Sequence, residues 1–103
     1  MRMRANLDFL GDHELVVFHT TWCPDCRRLD QWLSEQGLAP AQVNIDADPQ
    51  AGARLERETG KRGVPYILVD DRTWVRGYHR ERPLRFDPRV LVEELREAVG
   101  PRS

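Results

Sequence analysis

Cysteine is scarce in this chain. Two residues in 103 carry a thiol, Cys23 and Cys26, so a framework of several disulfides is excluded and a four-cysteine zinc site is too. Lysine is scarcer: Lys61 stands alone beside 15 arginines, a skew that fits a GC-rich bacterial genome and says little about chemistry. Neither sign of charge is in excess. The formal net charge is −1, so no global field draws the chain to nucleic acid or to a membrane surface. No apolar run approaches the ~20 residues that span a bilayer. The first residues, MRMRANLDFLGDHE, carry acids early and lack the unbroken apolar stretch of a signal peptide. The expected compartment is the cytoplasm, where structural disulfides are rare. Repeats, low-complexity segments and linkers are also missing, so residues 1–103 read as a single domain, expected to be a monomer.

What is present is regular punctuation. VVFH (16–19) is a short apolar run and reads as a buried strand. A helix follows from about Pro24 to Gln36, with Leu29, Trp32 and Leu33 on one face and Gly37 closing it. VNI (43–45) predicts a second strand. Asp48-Pro49 opens a second helix that Gly60 stops. YILV (66–69) and TWVRGY (73–78), joined by Asp70-Asp71-Arg72, predict an antiparallel hairpin. Asp87-Pro88 opens a last helix, closed by Gly100-Pro101. The order β-α-β-α-β-β-α predicts an α/β fold: a mixed four-stranded sheet with three helices, distributed over both faces. Strands joined through helices are expected to run parallel, with right-handed crossovers.

The two cysteines lie at the first strand-to-helix junction, in TTWCPDCRRL (20–29). Cys23 falls at the N-cap, Pro24 at N1 and Cys26 at N3. Unpaired N–H groups and the helix dipole favour a thiolate at Cys23, which the N-cap position is expected to leave exposed. The thiolate is the attacking species in disulfide exchange. Cys26, one turn on and facing inward, is placed to resolve a mixed disulfide. Asp25 opposes a thiolate, and Arg27 and Arg28 offset it in part. A lone CxxC is equally half of a zinc site. The remaining candidates, His13, His19 and His79, form no partner motif, and no metal is expected. His19, inside the apolar strand, reads as a packed core or edge residue. A purely structural disulfide across so short a loop would constrain the unfolded chain little.

GVPYILV (63–69) adds a second feature, a Val-Pro pair just before a strand. With WCPDC at 22–26 and this element order, the chain resembles the thioredoxin superfamily and, within it, the glutaredoxin-like branch, over roughly residues 14–100. FHTTWCPDCRRL is similar to mycoredoxins and related bacterial glutaredoxin-like proteins. The resemblance implies a thioredoxin-like fold and thiol–disulfide oxidoreductase activity. It implies Cys23 as nucleophile and Cys26 as resolving thiol. It also implies a cis Pro65 against the sulfurs, and a Val64 backbone that pairs with an extended substrate. Full thioredoxins carry an extra strand and helix ahead of the site, and a buried acid six residues before the nucleophile. Here that position is Val17.

Glutaredoxins usually follow their last strand with Gly-Gly and then a Ser/Cys-Asp pair that grips glutathione. This chain has Gly77-Tyr78, then HRERPLRF, with Asp87 the nearest capping acid. Gly77-Tyr78 resembles the pattern of glutaredoxin-like proteins that serve ribonucleotide reductase and take electrons from thioredoxin reductase. The resemblance thus implies protein disulfides or mixed disulfides as substrates. No cofactor would be tightly bound, and electrons would come from a low-molecular-weight thiol or a flavoprotein, thioredoxin reductase. Trp22, Pro24, Val64, Pro65, Gly77 and Tyr78 are the candidate substrate-binding residues. The six arginines of residues 72–89 form either a docking surface for an acidic partner or a solvated loop. The alternative function is a redox sensor or binding module of the same fold, without turnover.

Overall fold

Each helix starts where a cap residue accepts a hydrogen bond from the first turn and a proline follows. Asp48 accepts from the Ala51 N–H (3.1 Å) and Asp87 from the Arg89 N–H (3.0 Å). Cys23 does the same with its sulfur, accepting from the Cys26 N–H at 3.1 Å. This computed structural model describes residues 7–11, 13–61, 63–76 and 87–100. The helices are α1 (Pro24–Glu35), α2 (Pro49–Thr59) and α3 (Pro88–Val99). Gly60 ends α2 in the left-handed region at φ 80°, where a side chain would be strained. The strands are β1 (Leu15–His19), β2 (Ala41–Asn44), β3 (Tyr66–Val69) and β4 (Thr73–Val75), and a short 3-10 turn, Asp8–Leu10, precedes them. Among the described residues, no helix is long and apolar enough to cross a membrane.

The sheet order is β2-β1-β3-β4. β1 and β2 are parallel, with Val17 opposite Gln42. β3 runs antiparallel to β1, with Phe18 opposite Tyr66, and β4 completes the hairpin. The direction of β3 corrects the expectation that helix-joined strands run parallel. α2 leaves from the carboxyl end of β2, where the Asp48 N–H donates to the Asn44 carbonyl. The chain re-enters the sheet at Tyr66, beside the carboxyl end of β1. With both ends of the connection at one end of the sheet, β3 can only run back down. The hairpin turn places Asp70 and Asp71 at φ 53° and 61°, a left-handed pair that acidic turn residues tolerate. TWVRGY is strand only over its first three residues, and Gly77 and Tyr78 lie outside the described residues.

Alternation along the strands separates two cores. Val17, Ile67 and Val75 face α1 and α3, where Leu29, Leu33, Leu91 and Leu95 meet them. Each such side chain contributes about 1.5–3 kcal/mol by leaving water. On the other face Phe18 and Leu68 pack with Ile45 and with Leu55 of α2. Trp74 stacks edge-to-face on Phe18 (4.8 Å between ring centroids) and gives its indole N–H to Glu58 at 2.9 Å. Arg54 on α2 reaches Glu58 and the Asp71 carboxylate, each at 2.8 Å, tying the helix to the hairpin turn. Helices on both faces and a mixed four-stranded sheet match the architecture expected.

Candidate active site

The carboxyl end of β1 delivers the chain to the N-terminus of α1, and β3 begins beside it. Cys23 and Val64 therefore meet from segments far apart in sequence. Both cysteines are free thiols. The Cys23 sulfur is the N-cap acceptor of α1 and lies 3.9 Å from the Val64 carbonyl oxygen. The Val64–Pro65 peptide is cis, and Pro65 is buried.

Cys23 itself is only 5% exposed, which corrects the expectation of an exposed thiol. The N-cap position puts the sulfur at the helix end, but the Val64–Pro65 segment closes over it. Cys26 faces inward, 4% exposed, as its position on α1 implies. Burial, reinforced by a hydrogen bond with the Cys23 side chain, pushes the Cys26 thiol up to about 12, while a Thr20 backbone hydrogen bond acts the other way. Cys26 thus holds its proton at neutral pH.

Asp25 is buried. The Arg28 guanidinium sits 2.9 Å from its carboxylate, one helical turn on, and offsets its charge. Arg27 points elsewhere, lining a cleft beside Cys26 with His19, Thr20, Asp30 and Gln42.

Trp22 is 68% exposed, and its indole N–H donates to Asp46 at 2.8 Å. Asp46 is the site residue the sequence reading missed; the NID run that carries it reads only as the end of a strand. Its own N–H is held by the Asn44 side chain at 2.9 Å, so the loop after β2 fixes the ring beside Cys23. Pro24 is exposed next to it. On the far side of Val64, Arg76 lies over the Tyr66 ring at 4.9 Å and packs against Gly63. The candidate residues Gly77 and Tyr78 lie outside the described residues, as does most of the arginine-rich stretch. Among the described residues no group of three or more His, Cys, Asp or Glu side chains is placed to hold a metal.

Comparison with known proteins agrees with this geometry. The family model described as Glutaredoxin matches residues 15–74, from β1 into β4. A glutaredoxin of Pseudomonas aeruginosa is 33% identical over 57 residues, 55% of this chain and 68% of that protein. The glutaredoxin-like protein NrdH of Lactococcus lactis is also 33% identical over 57 residues, 55% of this chain and 78% of that one. Among solved structures, the glutaredoxin grx-1 of Archaeoglobus fulgidus superposes with a TM-score of 0.55 at 26% identity, covering 78% of this chain and 91% of that one. A mutant form of a thioredoxin-like protein superposes with a TM-score of 0.61 at 20% identity, over 81% of this chain and all of its own, a likeness of fold.

Proposed function

From the premise that the chain belongs to the glutaredoxin family, whose members are thiol–disulfide oxidoreductases, we propose that it reduces protein disulfides and mixed disulfides through the Cys23/Cys26 dithiol. One observation carries the reading. Cys23 caps α1 with its sulfur, beside the Val64 carbonyl, and the thiol of Cys26 waits one turn behind it with its proton held.

The sequence of events follows from that arrangement. An extended substrate segment pairs with the Val64 backbone and brings its disulfide to Cys23. The Cys23 thiolate attacks one sulfur, and the other leaves as a thiolate. The Cys26 N–H, donating to the Cys23 sulfur at 3.1 Å, holds that sulfur at the helix end for attack. Cys26 then attacks Cys23, the second substrate sulfur leaves, and the enzyme is left as a disulfide. Trp22 supplies an apolar contact at the rim. Electrons return from a low-molecular-weight thiol or from thioredoxin reductase. The protein acts as a cytoplasmic bacterial monomer, without nucleic acid or membrane as partner.

The test is an NADPH-coupled disulfide-reduction assay, run in parallel with thioredoxin reductase and with a glutathione/glutathione reductase system. Turnover with one donor and not the other names the donor. Cys23→Ser should abolish exchange, and Cys26→Ser should accumulate a stable mixed disulfide with a protein substrate. Turnover with neither donor would favour the sensor reading, and trapping by Cys23→Ser would reverse the two roles.

A further inference from the structure

Cys26 must lose a proton before it can attack, and the residues closest to it do not take one. Val17, on the β1 face that packs against α1, is a hydrocarbon. Asp25 is engaged by Arg28. A cleft of about 220 Å³, however, opens beside Cys26 between β1, α1 and β2. Two groups able to accept a proton line it. Asp30 lies one turn beyond Cys26 on α1, and its carboxylate already accepts a 2.6 Å hydrogen bond from Gln42. His19 ends β1 two residues after Val17, hence on the same face of the strand. Among the described residues no hydrogen bond engages its ring. Thr20 also lines the cleft. Its backbone hydrogen-bonds the Cys26 sulfur, and its hydroxyl is buried without a partner. A cleft of this volume, with Thr20, Asp30 and Gln42 among its lining residues, has room and partners for water.

We propose that the His19 imidazole accepts the Cys26 proton, through water in this cleft, in the step that resolves the mixed disulfide. The inference rests on the disulfide-reductase reading above. The Cys26 S–H gives its proton to the neutral imidazole. The electron pair left on sulfur forms the Cys23–Cys26 bond as the bond between Cys23 and the substrate sulfur breaks. That sulfur leaves with the pair as a thiolate and takes a proton from solvent, and the imidazolium returns its proton to solvent. Two enzyme thiols are oxidised to one disulfide, and one substrate disulfide is reduced to two thiols.

Histidine is favoured over Asp30 because the Asp30 carboxylate is already engaged by Gln42, whereas among the described residues the His19 ring carries no hydrogen bond and can take a proton. The charged groups facing His19 across the cleft are Arg27 and Asp30 on α1, of opposite sign; β2 offers only the neutral Gln42 and Asn44.

Single-turnover reaction of the reduced protein with 5,5′-dithiobis(2-nitrobenzoate) separates the two steps. The first thionitrobenzoate released reports attack by Cys23 and the second reports attack by Cys26. Across about pH 5 to 9 the second release should carry a pH dependence of its own. His19→Gln should slow it at least ~10-fold at neutral pH and remove that dependence, within the range typical of general bases. The first release and the melting temperature should stay unchanged, and Asp30→Asn should leave both releases as they are. The proposal is overturned if His19→Gln leaves the second release and its pH profile intact, if it slows both releases alike, or if Asp30→Asn removes that pH dependence. Failure of the first release in the wild type would instead refute the exchange reading itself.

Discussion

Trp22→Ala is expected to separate protein substrates from small ones. A tryptophan presents up to ~250 Å², and at 68% exposure about 170 Å² of this ring faces solvent beside Cys23. A docked protein chain that covers half of it removes about 85 Å² from water, worth ~2 kcal/mol at ~25 cal/mol per Å². That corresponds to roughly 30-fold in kcat/KM. A small disulfide, which reaches the sulfur without touching the ring, should lose less than about threefold. The ring is also aimed: its N–H is held by Asp46 at 2.8 Å. Asp46→Ala should therefore give a smaller loss in the same direction, since a freed ring must be ordered again on docking, at about 0.5–1.5 kcal/mol. The assay compares steady-state kinetics on insulin and on hydroxyethyl disulfide for wild type, Trp22→Ala and Asp46→Ala. Equal losses on both substrates, or none on insulin, would refute the platform reasoning.

Three further outcomes are expected. With the Cys26 thiol at about 12, iodoacetamide should modify Cys23 alone up to about pH 9, and the reduced protein should lose stability relative to Cys26→Ser as pH rises from the ordinary thiol range toward 12, because the folded state holds that proton more tightly than the unfolded chain. The hydrogen bond from His13, and then the Glu14 N–H, hold the Asp70 carboxyl below its usual range, so Asp70→Asn should lower the melting temperature at pH 7 and the gap should close as pH falls through the lowered value. Leu33→Ala, at a fully packed position of the larger core, should cost about 2–5 kcal/mol in urea unfolding; a loss under about 1 kcal/mol would mean that the helix closes over the gap.

The helices were legible because each carries local signals at both ends. Asp48-Pro49 and Asp87-Pro88 mark starts that depend on no distant contact, and Cys23-Pro24 marks a third. The direction of β3 was not legible in the same way. It depends on where the chain returns after α2, a matter of three-dimensional closure that the spacing from Gly60 to Pro65 does not encode. The cysteine pair announced the chemistry through its position at a strand-to-helix junction. The burial of Cys23 depends on Val64, 41 residues away, and could not be read from TTWCPDC alone. The Asp25–Arg28 pair is an i,i+3 contact on a helix and was within reach of the sequence. Asp46 was not, because nothing local ties it to Trp22 across 24 residues.

The two cores described above are unequal, and the site is divided between them. The sulfurs ride on α1, whose Leu29 and Leu33 belong, among the described residues, to a cluster of nine buried side chains; Val64 packs on the opposite cluster, which has four. Regions with fewer buried apolar contacts open at lower free energy. The two walls that receive a disulfide should therefore differ in compliance. Strain from an ill-fitting partner should be taken up by the Val64 wall and the α2 layer behind it, with the spacing between the two thiols preserved. In amide exchange the α2 layer should lose protection before α1 does. A fixed pair of sulfurs set against a yielding wall would accommodate partners of different shape without retuning the chemistry for each one.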